Sequence, residues 1–277
     1  MPRHHHQPDT PLTAGLSVSV LLGDHSHLDR GWHRDSFNEP YVRLYLVLSG
    51  RARIHHHDAW FDLLPGMTYL IPPRSNLHHE CSSNVEILWF HALVHRTDGI
   101  DLFELMDCNY AHRPAHAERV ADDIHEIIRL YKDPAPAAQL AVHGRALALL
   151  APFIREPVGA ADPGQCLRLQ FIPVLELINA NLAHPPTLDE LARRGGYGRN
   201  HFARRFKEAF AMAPLQYLQR QRIGLAQQRL RQEPGKLETL ARELGFHDAF
   251  HFSRAFKRVT GVSPAQYRRQ LRQPTPP

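Results

Sequence analysis

The sequence predicts a two-domain α+β protein, in which a β-rich N-terminal domain precedes an all-α C-terminal domain. Residues 1 to about 95 hold short β-prone runs separated by turn signals, and helical spacing of apolar residues dominates from about residue 115. A stretch rich in proline, glycine and small residues, 157–164, reads as a linker. Beyond the linker the sequence repeats itself at a separation of about fifty residues. We therefore predict domains at 1–156 and 167–277, joined by a linker at 157–166.

The composition is that of an ordinary globular protein long enough for two hydrophobic cores. The chain has 277 residues, of which 43% are hydrophobic and 22% are charged. No apolar run approaches the ~20 residues that span a bilayer, and the first residues lack the apolar stretch of a secretory signal. Three widely spaced cysteines argue against a disulfide scaffold or a zinc finger. We expect a cytoplasmic protein without membrane contact.

Charge is distributed unevenly between the two halves. From Leu167 onward there are 19 Lys and Arg against 8 Asp and Glu, whereas the first 166 residues hold 14 basic and 20 acidic side chains. A basic half indicates a polyanionic partner. A solvated basic surface would give the same charge balance. Charge alone therefore does not distinguish a nucleic-acid-binding half from such a surface, and the sequence repeat is needed to do so.

The N-terminal half predicts a small barrel or sandwich followed by helices. The β-prone runs are 16–22, 42–48, 51–57, 67–71 and 85–94. One helical stripe follows at Val120, Ile124, Ile127 and Ile128, and another at Leu140, Leu147 and Leu150. These helices would flank the barrel and pair two subunits, although a helix hairpin within one chain would leave the same pattern.

Each copy of the repeat reads as a helix-turn-helix unit. The first copy begins at Leu191-Ala192-Arg193 and ends at Pro214-Leu215-Gln216-Tyr217; the second begins at Leu240-Ala241-Arg242 and ends at Pro264-Ala265-Gln266-Tyr267. Thr187 and Glu190 have the spacing of a capping box, and Asp248 is placed to cap the second helix of the second unit. Pro214 is well placed to start a long helix that ends near Gln232 and holds the units apart.

The second helix of each unit predicts a DNA-reading face opposite a row of aromatic anchors. Phe202, Phe206 and Phe210, and likewise Phe252 and Phe256, have core spacing. Polar side chains on the other face suit the major groove, since Asn pairs with adenine, Arg with guanine and Lys with phosphate, while Phe and Ala can contact a thymine methyl. We expect DNA contacts from Arg199, Asn200, Ala203, Arg204, Lys207, Ala249, Phe250, Ser253, Arg254 and Lys257.

Residues of about 167–272 resemble the DNA-binding domain of AraC-type transcription regulators. The most specific strings are Leu244-Gly245-Phe246, Phe252-Ser253-Arg254-Ala255-Phe256-Lys257 and Gly261-Val262-Ser263-Pro264. The resemblance implies seven helices, with two reading units bridged by the long helix. The first unit departs from the pattern: Gly198 replaces a capping serine, and Ala211 and Ala213 replace glycine and serine.

The N-terminal half is similar to the cupin-like ligand-binding domain that precedes the DNA-binding domain in many AraC-type proteins. The similarity rests on Ser49-Gly50, on the run from Gly66 to Pro72, and on His78-His79. In metal-binding cupins a glutamate stands where this chain has Arg43, and the paired histidines fall on Ser36, Phe37 and Asn38. A single histidine does not hold a metal, so we expect neither a metal nor another cofactor.

The alternation of side chains along the strands selects candidate effector-binding residues. A guanidinium that faces a barrel interior must be paired or must meet a polar ligand, and Arg43 could equally form a salt bridge with Glu39, Glu80 or Glu86. Aromatic residues on the same face could be pocket walls or plain core. The predicted effector site consists of Arg43, Tyr45, His78, Trp89 and His91.

Taken together, the resemblance implies a sequence-specific transcription regulator without enzymatic activity. We expect it to act as a homodimer on promoter DNA under control of a small-molecule effector, and the sugar-responsive members of the family favour a sugar. Family resemblance favours an activator, which would also engage RNA polymerase. Two alternatives stay open: an effector-independent DNA-binding regulator, and a metal-dependent cupin enzyme fused to a DNA-binding domain.

Overall fold

A computed structural model describes most of the chain in two domains. The described residues are 12–13, 15–30, 32, 34–36, 38–56, 59–81, 83–155, 162–232 and 235–271. Half of the predicted linker at 157–166, residues 157–161, lies outside this set, as do residues 1–11, whereas residues 163–166 begin the first helix of the C-terminal domain. No helix among the described residues is both long enough and apolar enough to cross a membrane.

The N-terminal domain holds two antiparallel sheets. Its strands are β1 (Ser17–Leu28), β2 (Arg34–Ser36), β3 (Val42–Ser49), β4 (Ala52–His56), β5 (Ala59–Leu63), β6 (Thr68–Ile71), β7 (Leu77–Cys81), β8 (Val85–His95) and β9 (Ala111–His112). One sheet has the order β1-β8-β3-β6-β9 and the other β2-β7-β4-β5. The predicted barrel is therefore corrected to two separate sheets, because in the described strands the ladders do not close on one another.

Helices cover the outer face of the five-stranded sheet. They are α1 (Leu102–Leu105), α2 (Ala117–Leu130) and α3 (Pro136–Leu150). The stripe predicted on α2 is confirmed, since Ile124 and Ile127 are fully buried. The stripe predicted on α3 is wrong at Leu140, which is 73% exposed; Val142, Ala146 and Leu149 face the core instead.

The C-terminal domain is entirely helical. Its helices are α4 (Pro163–Gln170), α5 (Ile172–Ala180), α6 (Leu188–Arg194), α7 (Arg199–Phe210), α8 (Pro214–Gln232), α9 (Leu237–Glu243), α10 (Ala249–Thr260) and α11 (Pro264–Gln270). The described residues of this domain form eight helices where seven were expected, because the first expected helix is divided at Phe171. Pro173 lies in the first turn of α5, where its missing N–H and its ring prevent a continuous helix.

Three clusters of buried apolar side chains stabilise the fold. One lies between the two sheets and includes Tyr45, Ile71 and Trp89. A second runs from the helix-covered face of the five-stranded sheet through α2 and α3 to the first helix-turn-helix unit. The third belongs to the second unit and the C-terminal part of α8. The N-terminal domain and the first unit therefore share a continuous core, while the second unit has its own.

Candidate nucleic-acid interface and its contacts with the N-terminal domain

The two helix-turn-helix units have the same local construction. The capping box of Thr187 and Glu190 is confirmed at the start of α6, and Asp248 caps α10 through the N–H of His251. In each turn an aromatic residue donates its backbone N–H to an alanine carbonyl five residues earlier, Tyr197 to Ala192 at 3.0 Å and Phe246 to Ala241 at 2.9 Å. The sequence repeat thus produces a repeat of hydrogen bonds.

The reading helices α7 and α10 present polar faces opposite buried phenylalanines. Phe202, Phe206, Phe252 and Phe256 are fully buried, as predicted. Residues of the predicted DNA-contacting set are exposed at Arg199, Asn200, Arg204, Lys207, Phe250, Arg254 and Lys257 and half-buried at Ala203, Ala249 and Ser253. Phe250 is 84% exposed, more than any other large apolar side chain among the described residues.

The turn of the second unit is fastened by a buried arginine that the sequence analysis did not identify. Arg222 of α8 donates to the carbonyl of Leu244 from Nε at 2.9 Å and from Nη2 at 2.6 Å. Its guanidinium also lies over the Phe246 ring, 3.8 Å from the centroid. These contacts satisfy much of a buried charge and fix α9 and α10 against α8.

The N-terminal domain holds each unit through an equivalent tyrosine. Tyr217 and Tyr267, which are fifty residues apart in the repeat, donate their hydroxyls to Glu104 and Glu39, the latter at 2.9 Å. Burial raises the pKa of both tyrosines well above the ordinary value, so both hydroxyls stay protonated. Each carboxylate therefore accepts a charge-assisted hydrogen bond from the other domain.

Cations and amides complete both contacts. Glu104 also accepts from Arg220 Nη2 at 3.0 Å and Gln221 Nε2 at 2.9 Å, and Arg74 Nε lies 3.4 Å away. Arg231 Nη2 lies 3.9 Å from Glu39, and its guanidinium lies over the Tyr41 ring at 5.2 Å. The charged side chains at the first contact are Glu104, Arg74 and Arg220. All three are largely buried, as is Asp101 nearby.

Four of the five predicted effector residues lie together between the sheets. Arg43 pairs with His91 and Tyr45 with Trp89 across β3 and β8, and all four are nearly or fully buried. The His91 ring stacks on Tyr41 at 4.8 Å, and the Arg43 guanidinium lies 5.1 Å from the same ring. Of the carboxylates considered for Arg43, Glu39 accepts from Tyr267, Glu80 accepts from Arg53, and Glu86 is hydrogen-bonded to His25.

His78 does not join the other four residues, because its side chain belongs to the outer face of the four-stranded sheet. It is 44% exposed, and its ring lies 5.8 Å from that of Trp60. The next residue, His79, is buried, with its ring 4.6 Å from that of Trp32. His79 therefore replaces His78 as the histidine of the interior. Adjacent residues on a strand face opposite ways, and His78, the residue named for the predicted effector site, is the one that faces outwards.

A cleft of about 690 Å³ separates the domains beside the Glu104 contact. Its walls include His56, Arg74, Asp101, Arg168 and Arg220. The cleft is thus lined mainly by polar and charged groups from both domains. A polar small molecule bound in this cleft would touch both domains.

Comparisons with known proteins agree with this architecture. Residues 191–270 match the family model described as a helix-turn-helix domain. A protein of Streptomyces antibioticus named as an AraC-like transcription regulator is 34% identical over 88 residues, which is 32% of this chain. The chain spans only 27% of that relative's length.

Solved structures resemble nearly the whole chain in fold. ToxT of Vibrio cholerae O395, bound to (E)-4-(8-methylnaphthalen-1-yl)but-3-enoic acid, superposes with a TM-score of 0.58 at 11% identity, over 93% of this chain and 99% of that one. Wild-type ToxT of Vibrio cholerae strain SCE256, bound to an unsaturated fatty acid, gives 0.55 at 12% identity, over 95% and 98%. The order and packing of both domains are therefore those of a known two-domain fold.

Proposed function

We propose, from the helix-turn-helix match over residues 191–270 and the similarity to an AraC-like relative, that this chain is a sequence-specific DNA-binding transcription regulator of the AraC type. The observation that carries the proposal is the pair of reading helices, anchored by buried phenylalanines, with arginine, lysine, asparagine and Phe250 exposed on the opposite faces. An exposed phenylalanine beside Arg254 suits a base edge better than it suits water. The proposal assigns no reaction to the chain.

The two units are expected to bind one face of a single duplex. Two reading helices on one scaffold can enter successive major grooves, about 10–10.5 bp apart. Arg199, Asn200, Ala203, Arg204 and Lys207 would serve one groove. Ala249, Phe250, Ser253, Arg254 and Lys257 would serve the next.

Selection from genomic fragments with the full chain tests the proposal. We expect a small set of fragments to be enriched over competitor DNA, with two protected segments about one helical turn apart in footprints. The matched variant Arg204→Ala/Arg254→Ala should lose the enrichment while keeping residual binding to any sequence, because other cations still contact phosphates. Equal retention of all fragments by the unaltered chain would refute the proposal.

We further propose that the N-terminal domain senses a small molecule. The cluster of Arg43, Tyr45, Trp89 and His91 offers one cation among aromatic rings, which suits a ligand with a polar or anionic group and a flat or apolar body. Stacking rings favour the sugar that the sequence analysis predicts, while the guanidinium equally suits a carboxylate. The ToxT structures, whose ligands are carboxylic acids, support including carboxylates beside sugars as candidate ligands.

Ligand-dependent thermal shifts of the full chain separate these classes. A ligand at 100 times its Kd adds about 2.7 kcal/mol to the free energy of unfolding. We expect a sugar or a carboxylate to raise the midpoint of the unaltered chain and not that of Arg43→Gln. A shift that persists in Arg43→Gln and disappears in Arg168→Gln would move the site to the interdomain cleft. If no member of either class shifts the midpoint, the effector-independent regulator becomes the better account.

The contacts between the domains suggest how an effector would act. The Tyr41 ring lies 4.8 Å from the His91 ring, 5.1 Å from the guanidinium of Arg43 and 5.2 Å from that of Arg231 on α8. A ligand that displaces Tyr41 would disturb Arg231, which lies beside Glu39. It would thereby disturb the hydrogen bond between Glu39 and Tyr267. We propose that effector binding changes how firmly the N-terminal domain holds the second unit, and so which DNA sites both units reach together.

The remaining partners follow from the same proposal. Action on a promoter requires a cytoplasmic protein, and activation would require contact with RNA polymerase. We propose a homodimer through α3, where the exposed Leu140 points away from its own core. Sedimentation should show a dimer that Leu140→Glu converts to a monomer and that Leu215→Glu, at an exposed site on α8, leaves intact. A dimer in both variants would exclude this face.

A further inference from the structure

Two histidines and a glutamate converge on the outer face of the five-stranded sheet. His25 and His27 are two residues apart on β1, so both side chains lie on the same face. Glu86 on β8 is the direct cross-strand partner of His27. The ligand atoms of all three side chains lie within 4.8 Å of one another.

Helix α2 brings a third histidine to this cluster. The ring centroid of His125 lies 5.5 Å from that of His25, in an edge-on arrangement. Ile128, which lies on the same side of α2 as His125, packs against Gly23 of β1. The helix thus faces the strand that carries His25 and His27.

We propose that His25, His27 and Glu86, with His125 as a fourth ligand, form a binding site for a divalent transition metal ion of the zinc class. Imidazole nitrogen and carboxylate oxygen are ligands that zinc accepts in tetrahedral sites, at about 2.0–2.2 Å. The ligand atoms of His25, His27 and Glu86, which lie within 4.8 Å of one another, would each have to move by roughly 1 Å to reach those distances. The half-exposed position gives the ion a direct path from solvent.

The hydrogen bonds of the cluster prepare it for a cation. His25 Nε2 lies 2.9 Å from Glu86 Oε1, and Ser49 Oγ donates to the other carboxylate oxygen at 3.2 Å. These two contacts hold the carboxylate of Glu86 in place beside the histidines of β1. A metal ion would take the place of the proton in the hydrogen bond between His25 and Glu86. Ser49 would still hold the carboxylate from outside the ligand set.

The site is distinct from the metal position that the sequence analysis considered and rejected. That position is the cupin-type one between the sheets, where Arg43 occupies the place of a ligand. The new cluster lies under α2, and its sequence signal is the pattern His25-Ser26-His27. An ion bound there would join α2 to β1 and β8.

Calorimetric titration of the full chain with Zn²⁺ tests the proposal. All proteins should carry His4→Ala/His5→Ala/His6→Ala, which removes a consecutive histidine run that could chelate the ion by itself. After dialysis against a chelator, we expect one strong Zn²⁺ site and a higher thermal unfolding midpoint in Zn²⁺. Mg²⁺ should give neither, because it prefers all-oxygen ligands. His27→Ala, Glu86→Gln and His125→Ala should each weaken Zn²⁺ binding at least about 10-fold.

The matched control is His184→Ala, an exposed histidine of the C-terminal domain, which should bind Zn²⁺ like the background protein. Equal affinity in the background protein, His27→Ala and Glu86→Gln would overturn the site. Unchanged affinity in His125→Ala alone would overturn the assignment of α2. The substituted side chains are at least partly exposed. Circular dichroism of each variant should be measured to distinguish a loss of Zn²⁺ binding from a loss of folding.

Discussion

Arg254 and Lys257 are neighbouring exposed cations on α10 for which different roles are expected on DNA. A guanidinium can make two hydrogen bonds to guanine, whereas a lysine acts on phosphate as a point charge. We predict that Arg254→Ala costs roughly 1–3 kcal/mol at one base pair of the site and relaxes specificity there. Lys257→Ala should weaken binding to all sequences alike. Affinities for the selected site, for its single-base variants and for random DNA, measured at one salt concentration, check this. Equal losses for both variants on specific and random DNA would contradict it.

Gly245 and Gly196 are equivalent glycines in the two turns, yet their surroundings differ. Both have positive φ, 70° and 74°. A Cβ on Gly245 would lie 1.8 Å from the carbonyl oxygen of Ala183, whereas one on Gly196 would meet no atom within 4 Å. We predict that Gly196→Ala costs about 1–2 kcal/mol from backbone strain alone. Gly245→Ala should cost about 1–3 kcal/mol more from overpacking. Urea unfolding of both variants measures the difference, and equal losses would show that Ala183 yields freely.

At the scale of elements, the two reading helices end differently. The residue directly after α7 is Ala211 at φ 54°, and the residue directly after α10 is Gly261 at φ 80°. In addition, Gly198 gives α7 no side-chain cap, whereas Asp248 caps α10. The first reading helix is therefore the less well terminated of the two.

We predict that Ala211→Gly raises the free energy of unfolding by about 1 kcal/mol, because glycine adopts the left-handed conformation without the Cβ clash. The control is Ala209→Gly within α7, which should lower it by about 0.5–1 kcal/mol. Chemical denaturation followed by circular dichroism detects both changes. A loss of stability in Ala211→Gly would show that its methyl group contributes more by packing than it costs in strain.

The elements differ in how well the sequence predicted them. The five predicted strand regions correspond to β1, β3, β4, β6 and β8, because each has a run of β-prone residues. The strands β5 and β7 were missed because their sequences, AWFDL and LHHEC, mix apolar residues with charged residues and histidines. On α3 the alanines diluted the periodic signal, so Leu140 was placed in a core that its helix turns away from.

At the scale of the whole molecule, the internal repeat predicted the reading helices but not their attachment. The repeat identified Tyr217 and Tyr267 as equivalent residues of the two units. It did not indicate that they contact the N-terminal domain. Their partners Glu104 and Glu39 lie 113 and 228 residues away in the chain. Contacts at such separations follow from how two domains dock, which no local pattern encodes.

We predict that Tyr217→Phe/Tyr267→Phe loosens the docking of the C-terminal domain on the N-terminal domain. Each substitution removes a hydrogen bond to a buried carboxylate, worth about 1.5–3 kcal/mol. The control is Tyr197→Phe, whose hydroxyl lies 3.4 Å from Gln170 of its own domain. Small-angle scattering should give a larger radius of gyration for the double variant and an unchanged one for the control. Unchanged scattering for all three proteins would mean that apolar packing alone fixes the domains.

The same interface should make stability depend on pH through Asp101. Burial, reinforced by the nearby Glu104, raises the pKa of Asp101 from 3.8 to about 7 in the folded chain. The folded state therefore binds this proton more tightly than the unfolded state. The resulting stabilisation is complete below about pH 4 and is lost as the pH rises to about 7, with a slope of up to about 1.4 kcal/mol per pH unit.

Asp101→Asn should remove this dependence, because asparagine keeps an oxygen that can accept the N–H of Phe103 but has no proton to lose. The matched control is Asp248→Asn at the cap of α10. Hydrogen bonds lower the pKa of Asp248, so the stabilisation that this carboxylate gives is lost as the pH falls and not as it rises. Urea unfolding should show that the free energy of unfolding falls less between pH 4 and pH 8 in Asp101→Asn than in the unaltered chain. In Asp248→Asn the fall should be undiminished. Parallel curves for Asp101→Asn and the unaltered chain would show that the Asp101 carboxyl is already ionised at pH 4, with Arg74 and Arg220 outweighing its burial and the charge of Glu104.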